Sequence, residues 1–493
     1  MSHRLLDRSS YAGLPERFYA RINPTPVAKP RLLKFNPALG AELRLDVSDL
    51  DAEALAGLFS GNVIAPGLEP IAMAYAGHQF GQFVPQLGDG RAILLGEATD
   101  IAGIRRDIQL KGSGRTPYSR GGDGRAALGP VLREYLVSEA MHALGIPTTR
   151  ALAAVSSGES VFREQGALPG AIVTRVAASL VRVGTFQYFA ARDDLEAVRI
   201  LADYVIGRHY PRAQGAEKPY LELLRAVTNA QASLIANWMN VGFIHGVMNT
   251  DNMAVSGETI DFGPCAFMDS YDSAAVFSSI DRHGRYAFGN QPQAGVWNLA
   301  RLAETLLSLI DDDGERAVGL ATEVISTFAE KFSSARLAGL RRKLGLSVPE
   351  GGDSALADAL LDVMQRNQAD LTLTFRGLCD AAESGAADVR LRALFTNPRE
   401  YEEWAAGWRA RLAREPGSPR ERAAAMRLAN PAVIPRNHRI EQAIEAAVES
   451  DDFAPFEKLS TVLSHPYQPL EGFEPYAEPP QPNERVLQTF CGT

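Results

Sequence analysis

The sequence predicts an α+β fold, because a region rich in strand patterns is followed by one rich in helical patterns. From about Leu195 the apolar residues recur mainly with helical spacing, and residues 294–450 are helix-rich and charged. Strand patterns, with apolar or alternating content between turn residues, occupy residues 92–97, 107–112, 152–162 and 171–176. Strands and helices are thus segregated along much of the chain, as in α+β proteins.

The composition is that of an ordinary globular protein. Of 493 residues, 46% are apolar and 22% charged, which excludes collagen-like, fully disordered and disulfide-scaffold classes. The net charge of −9 provides no basic field to attract a nucleic-acid backbone or an anionic membrane. No secretory signal and no run of about 18 apolar residues is visible. We therefore expect a cytoplasmic protein with neither nucleic acid nor membrane as a partner.

One helix is clearly marked between the second and third strands, at residues 130–144. Pro130 stands at its first turn, Gly145 just past its end and Pro147 beyond. Its apolar residues form one stripe that faces the core, and an adjacent stripe carries Glu134 beside apolar surface. We therefore expect the carboxylate of Glu134 to point towards other elements of the fold.

The remaining segments are less regular. Residues 1–70 contain several prolines and are predicted to form an irregular segment that wraps the core, and a Gly-rich passage follows at residues 77–91. A long amphipathic helix at residues 220–241 runs into a loop and then a hairpin-like stretch, MAVSGETIDFG, with its turn at Ser256-Gly257. The Pro-rich tail at residues 466–482 cannot continue a helix and is expected to be extended.

The strongest chemical signal is D-F-G at residues 261–263, because of what precedes it. In protein kinases H-R-D-x-x-x-x-N comes before D-F-G, and the Asn and the D-F-G Asp hold metal ions at the nucleotide phosphates. Here His245 and Asn252 have the same spacing. The position of the kinase catalytic Asp is Val247, which cannot accept a proton. The motif therefore argues against conventional kinase chemistry.

The upstream half supplies matching parts in the kinase order. Lys111 lies in a strand and Glu134 on the following helix, as do the kinase lysine and its ion-pair partner. No G-x-G-x-x-G occurs, but G-D-G-R at residues 88–91 precedes a strand, and its backbone amides could approach phosphate. We expect a bilobal, protein-kinase-like core over residues 71–300, with a helical C-terminal region over residues 301–493.

Several long motifs resemble the selenoprotein O family. They are YAGLPERFYARINPTPV, YAGHQFGQFVPQLGDGRA, LKGSGRTPYSRGGDGRA, HGVMNTDNM and DFGPCAFMD, with Cys491 at the family's selenocysteine position. The resemblance covers nearly the whole chain. It implies a kinase-like fold that uses Mg²⁺ or Mn²⁺ to transfer AMP from ATP, instead of phosphate, to Ser, Thr or Tyr hydroxyls of proteins. The sequence does not separate ATP from UTP as the nucleotide substrate.

The resemblance also assigns residues. It implies Asp251 as the proton acceptor, and Asn252 and Asp261 as metal ligands. It implies nucleotide contacts from Gly88, Gly90, Arg91, Lys111, Asp123, Gly124, Glu134, Arg175, Arg182 and Asp261. AMP transfer requires attack at the α-phosphate, so the triphosphate must lie reversed relative to a kinase, with its outer phosphates deep in the pocket. Two arginines offer fork-shaped donors that suit those phosphates.

Two other functions stay open at this point. One is a true phosphotransferase that uses Asp251 as a displaced base, and the other is a catalytically silent nucleotide-binding scaffold. Asp251 in N-T-D-N could equally be a turn-former. Asp123 and Gly124 are also ordinary turn residues.

The three cysteines are too few and too scattered for a disulfide framework or a four-ligand zinc site. Cys265 lies two residues after the D-F-G glycine, and Cys491 lies two residues before the last residue. We hypothesise a reversible disulfide between them that pins the tail over the active site. The alternative is two unrelated thiols, since structural disulfides are rare in the cytoplasm.

Overall fold

The computed structural model describes residues 5–164, 166–384 and 388–490. Within these ranges the strands are β1 (Tyr19–Arg21), β2 (Arg31–Phe35), β3 (Ile71–Met73), β4 (Gly77–Gln79), β5 (Gln82–Val84), β6 (Ala92–Thr99), β7 (Arg105–Lys111), β8 (Ala126–Ala127), β9 (Arg150–Arg163), β10 (Gly166–Ala177), β11 (Phe243–Ile244) and β12 (Ala266–Phe267).

The helices of the same ranges are α1 (Pro37–Glu42), α2 (Ala52–Ser60), α3 (Leu128–Ala143), α4 (Val183–Ala190), α5 (Leu195–His209), α6 (Pro219–Val241), α7 (Gln291–Ile310), α8 (Gly314–Leu344), α9 (Asp353–Asn367), α10 (Leu371–Glu383), α11 (Asp388–Arg392), α12 (Pro398–Leu412), α13 (Pro419–Ala429), α14 (Asn437–Ser450) and α15 (Ala454–Leu463). None of these described helices is long and apolar enough to cross a bilayer.

The main sheet is antiparallel, with the strand order β1-β3-β6-β7-β10-β9-β2 and β8 paired to β10. The four predicted strands are β6, β7, β9 and β10, which lie side by side, so the α+β prediction is confirmed. In the register of the two central strands, Lys111 lies opposite Val173 and Gln109 opposite Arg175. This pairing brings functional side chains of β7 and β10 together.

The first 70 residues are more regular than predicted. β1 and β2 form the two edges of the sheet, and α1 and α2 follow Asn36 and Asp51, whose side chains accept a backbone hydrogen bond as N-caps. The strands are only three and five residues long, and prolines separate them. Such short strands lack the periodicity that would identify them, and their partners lie far along the chain.

Two further expectations were wrong. The segment after residue 252 is not a hairpin, because Ala254 bridges to Arg182 and Thr259 to Thr148 instead of pairing with each other. Only its turn is retained, with Gly257 donating to the carbonyl of Ala254. The tail at residues 466–482 is not extended but forms turns and a 3-10 helix at Glu474–Tyr476.

α3 is held on both of its sides. One side packs on the sheet against β9 and β10, and the other packs against α14 and α15. Arg133 forms an ion pair with Glu441 of α14, and the ring of Tyr135 lies 5.7 Å from that of Phe456 on α15. α3 begins two residues earlier than predicted, at Leu128. Helices from the end of the chain therefore fix the helix that carries Glu134.

Candidate active site

A cavity of about 850 Å³ opens between the sheet and the loops around β11 and β12. Its wall includes Gly88, Gly90, Arg91, Lys111, Asp123, Gly124, Arg175, Arg182, Asp251, Asn252 and Asp261. Glu134 lies behind this wall, in contact with Lys111 and Arg175. Apart from Cys265 and Cys491, the structure thus brings the sequence-predicted residues to one place.

Four of these side chains form a buried cluster of alternating charge. Lys111 Nζ lies 2.6 Å from Glu134 Oε2 and 3.0 Å from Asp261 Oδ1. The Arg175 guanidinium contacts the same two carboxylates, with Nη2 2.5 Å from Glu134 Oε1 and 2.7 Å from Asp261 Oδ1. Burial alone would raise the pKa of Glu134, but Arg175 and Lys111 outweigh it and hold the pKa below its usual value. We call these four residues the charge cluster.

Asp261 has an unusual backbone conformation. Its φ of 66° lies in the left-handed region, which costs energy for any residue but glycine, although Asp tolerates it better than most. Lys111 and Arg175 hold its Oδ1, while Oδ2 lies 3.7 Å from Arg182 Nη1. Burial would raise the pKa of Asp261, but the three cations lower it well below its usual range. Asp261 therefore presents a carboxylate that stays ionised.

Asn252 and Asp261 offer oxygen atoms suited to a hard cation. The Asn252 side-chain amide donates to the carbonyl of Val247 at 3.0 Å, which leaves its carbonyl oxygen as the remaining polar atom of the side chain. Both residues line the cavity. Mg²⁺ is usually bound by one or two protein oxygen ligands together with phosphates and waters, so this donor set fits the ion.

Arg182 lies at the start of α4 and is almost fully buried. Its guanidinium packs over the ring of Tyr75, 4.4 Å from the centroid, and Nη1 donates to the carbonyl of Asp251 at 3.1 Å. The carboxylate of Asp89 lies 4.0 Å away. Arg175 and Arg182 come from different elements and converge on Asp261.

Asp89 is a buried residue that the sequence reasoning did not select. Its Oδ2 accepts from the backbone N–H of Met73 and from Gln109 Nε2, both at 3.1 Å. Burial raises its pKa to about 6, although Arg182 opposes the shift. Asp89 stands between the two glycines that were selected, and its carboxylate fixes that turn against the sheet. At Gly88, with φ 74°, a Cβ would lie 2.3 Å from the ring of Tyr118.

Asp251 is held differently from the charge cluster. Its Oδ2 accepts from Gln79 Nε2 at 3.2 Å, but its buried Oδ1 has no hydrogen-bond partner in the described parts of the chain. Gly77 makes room for it, because a Cβ there would lie 2.4 Å from Oδ1. Burial raises the pKa of Asp251 to about 6, towards the value that suits a general base near neutral pH. Val247 lines the same cavity and offers no acceptor.

A hydrogen-bonded chain behind Asp251 was also missed. Thr250 Oγ1 donates to Gln187 Oε1 at 2.6 Å and accepts from the backbone N–H of His78 at 2.7 Å, and Gln187 Nε2 lies 2.8 Å from His78 Nδ1. His78 and Gln79 belong to the β4–β5 hairpin. The signal for that hairpin was the sequence Gln79-Phe80-Gly81, whose last two residues have positive φ.

The remaining predicted residues lie at the edge. Asp123 pairs with Arg163 at 2.8 Å, and its side chain is 44% exposed at the cavity mouth. The Cys265 thiol is buried and donates to the carbonyl of Phe262, and burial raises its pKa to about 12. Cys491 lies outside the described residues. Thr489 Oγ1 donates to the carbonyl of Pro264 at 2.6 Å, so the tail reaches the neighbour of Cys265.

Comparison with known proteins supplies the family. The model of the family described as "Protein adenylyltransferase SelO" matches residues 4–464. A protein from Bradyrhizobium sp. (strain ORS 278) is 64% identical over 486 residues, covering 99% of each chain. One from Rhizobium meliloti (strain 1021) is 63% identical over 485 residues, covering 98% of this chain and 99% of its own. Both are named protein nucleotidyltransferase YdiU. With this identity over nearly the full length, the chain belongs to the SelO family.

Proposed function

We propose that this protein transfers a nucleoside monophosphate, AMP or UMP, from the triphosphate to Ser, Thr or Tyr hydroxyls of proteins and releases pyrophosphate. Members of its family are protein nucleotidyltransferases, and so is this chain. The observation that carries the finer proposal is the position of Asp251. Its carboxylate, whose Oδ1 has no hydrogen-bond partner among the described residues, lines the same cavity as Lys111, Arg175 and Asp261.

In the proposed reaction, the acceptor hydroxyl oxygen attacks the α-phosphorus. The new O–P bond forms as the bond from the α-phosphorus to the bridging oxygen breaks, and pyrophosphate leaves with that oxygen. The hydroxyl proton goes to Asp251 Oδ1, which has no other hydrogen bond to lose. Val247, at the place of the kinase catalytic Asp, cannot take that proton.

The nucleotide is proposed to lie with its β- and γ-phosphates in the deep part of the cavity. Lys111, Arg175 and Arg182 converge there, and all three carry positive charge in a region of low exposure. Groups that are already ordered and desolvated stabilise developing negative charge without reorganising during the reaction. These fixed cations thus stabilise the negative charge that develops on the leaving pyrophosphate.

Asn252 and Asp261 are the residues that would hold Mg²⁺ or Mn²⁺. When bound, such an ion neutralises charge on the phosphates of the nucleotide. Lys111 and Arg175 orient the Asp261 carboxylate for this task by holding its Oδ1, and no hydrogen bond within the described residues occupies Oδ2.

We also infer that the fold is related to protein kinases. The support is the geometry of three parts: a lysine at the end of β7, a glutamate on α3 that meets it at 2.6 Å, and an Asp-Phe-Gly segment that meets the same lysine at 3.0 Å. In kinases the corresponding lysine and glutamate form an ion pair, and the corresponding aspartate binds metal.

Separate incubations with ATP labelled at the α- or the γ-phosphate test the function. We expect label from the α-phosphate on protein acceptors and γ-label only in pyrophosphate. Transfer of γ-label would instead support a phosphotransferase with Asp251 as its base. A silent scaffold would bind ATP and transfer neither label.

The Cys265–Cys491 disulfide remains a prediction. Two thiols would lose two protons and two electrons to an oxidant such as oxidised glutathione. Because Cys265 is buried and its thiol protonated, we expect slow oxidation that lowers activity and that reductant reverses. Mass mapping checks the bond, and Cys379→Ser is the matched control for Cys491→Ser. Finding both thiols free after oxidation, or unchanged activity with the bond formed, would remove the regulatory role.

A further inference from the structure

Aromatic and cationic side chains cluster beside the cavity, on the side where Asp251 lies. Two arginines contact the Trp297 ring, with the Cζ atoms of Arg285 and Arg301 4.8 Å and 5.0 Å from its centroid. The edge of Trp297 meets His78 at 5.1 Å, and Phe83 packs on His78 and is 40% exposed. We call Phe83, Arg285, Trp297 and Arg301 the arginine platform.

The β4–β5 hairpin connects this platform to Asp251. Arg285 lies over the tip of the hairpin, where a Cβ on Gly81 would be 3.5 Å from its Cζ. Gln79 of the same hairpin donates to Asp251 Oδ2. Next to Arg285, the Tyr286 hydroxyl donates to Asn249 Oδ1 at 2.7 Å, two residues before Asp251. A polypeptide that brings a hydroxyl to Asp251 therefore has the platform beside it.

The arginines of the platform have unused hydrogen-bond donors. The Nε atoms of Arg285 and Arg301 are buried and have no partner in the described parts of the chain. Arg301 forms an ion pair with Glu304 at 2.5 Å, whereas no ion pair joins Arg285 to any described carboxylate. The nearby carboxylate of Asp281 accepts from backbone N–H groups of residues 285 and 286. Arg285 is thus a positive charge without a negative partner in a chain of net charge −9.

The nucleotide does not account for this charge. Arg285, Trp297 and Arg301 are not part of the described cavity wall, which has its own cations in Lys111 and Arg182. A guanidinium that contacts an aromatic ring loses part of its freedom, and its fork-shaped donors match a carboxylate. A carboxylate carried by the acceptor protein suits this position.

We propose that the arginine platform binds the acceptor polypeptide and selects an Asp or Glu side chain close in sequence to the hydroxyl that is modified. This inference rests on the proposed function, since it assumes a protein acceptor at Asp251. Arg285 supplies the charge, and Trp297 holds it in place. Electrostatic complementarity of this kind gives specificity to an interface more than it gives affinity.

A binding experiment tests the platform without requiring catalysis. Two fluorescent peptides with one central Ser are compared, one with Glu residues and one with Lys residues on both sides, in the absence of nucleotide and metal. We expect about tenfold tighter binding of the Glu peptide. Arg285→Glu should reverse this preference, and Arg285→Gln should abolish it. Arg212→Glu, an exposed arginine on the distant 3-10 helix Pro211–Gly215, is the matched control and should change nothing.

The same peptides are then used as acceptors with α-labelled ATP. The ratio of kcat/KM for the Glu and Lys peptides should follow the binding preference and reverse in Arg285→Glu. Equal binding of both peptides by the unaltered protein would overturn the proposal, as would an equal loss for both in a folded Arg285→Glu variant. Charge-dependent binding without any transfer would support the platform and contradict the proposed function, so the two failures are distinguishable.

Discussion

The charge cluster and Asp251, which line the same cavity or lie directly behind its wall, differ in how their charges are paired. In the charge cluster, Lys111 and Arg175 meet Glu134 and Asp261 at 3.0 Å or less. At Asp251, the carboxylate accepts one side-chain hydrogen bond, from Gln79, and its buried Oδ1 has no partner in the described parts of the chain. The first arrangement is complete before any substrate binds, whereas the second lacks a donor. This difference is consistent with the proposed division, in which the cluster contacts the nucleotide and Asp251 contacts the acceptor hydroxyl.

The energetics agree with this division. A buried ion pair that loses one partner typically costs about 3–5 kcal/mol, so the cluster resists rearrangement. An unsatisfied buried polar atom costs about 1–3 kcal/mol, and natural proteins contain few of them. The unpartnered Asp251 Oδ1 is such an atom, and unsatisfied polar groups of this kind are expected at functional sites.

The largest effect is expected from Asp261→Ala, which removes one member of the cluster. Glu134 still pairs with Lys111 and Arg175, so the fold should persist, while transfer of α-label should fall by about 10⁴-fold because charge neutralisation at the phosphates is lost. Asp49→Ala, at an exposed carboxylate outside the cavity wall, is the control. Near-normal transfer by a folded Asp261→Ala variant would contradict the assigned site.

Asp251→Asn should affect proton transfer from the acceptor hydroxyl and leave nucleotide binding intact. The amide preserves shape but cannot accept the hydroxyl proton, so we expect transfer to fall about 10³-fold with ATP affinity unchanged. Isothermal titration with ATP and the label assay measure the two quantities. A parallel loss of ATP affinity would mean that Asp251 contributes to nucleotide binding.

Gly77→Ala probes the space that keeps Asp251 Oδ1 in place. The new Cβ would lie 2.4 Å from that oxygen and must displace it, and a displacement of about 1 Å can cost about 10²-fold in rate. ATP binding should remain. Gly145→Ala tests nonspecific effects of added side chains, because nothing lies within 4 Å of a Cβ there, although its positive φ adds strain. Full activity of Gly77→Ala would show that the close contact between residue 77 and Asp251 Oδ1 does not matter for transfer.

Arg175→Ala and Arg182→Ala should separate stability from binding. Arg175 pairs with two carboxylates, so its loss should lower the free energy of unfolding by about 3–5 kcal/mol. Arg182 makes looser ionic contacts, and its loss should weaken ATP about tenfold more than ADP. Denaturant unfolding and nucleotide titration provide the readouts. Equal losses for ATP and ADP would argue against the reversed nucleotide.

Prediction from the sequence succeeded where the signal is local, or where several motif residues follow one another in the same order as in protein kinases. The strands and α3 follow from periodicity, and the order of Lys111, Glu134 and Asp261 anticipates their contacts. It failed where a residue acquires meaning only from distant partners. From the sequence, Asp89 is an ordinary turn residue, and only the structure shows that Gln109 donates to it. The sequence suggests no role for His78, because its backbone N–H donates to Thr250, which lies 172 residues later. The edge strands β1 and β2 failed for the same reason.

The packing of α14 and α15 on α3 has a consequence for folding during synthesis. Arg133 and Glu441 are 308 residues apart, and at about 5–20 residues per second a ribosome needs about 15–60 s to synthesise that interval. During this time the nascent chain can pair the strands of the sheet, but the helix that carries Glu134 lacks its outer support. The helix that carries Glu134 therefore gains its full set of packing partners only once synthesis has passed α15.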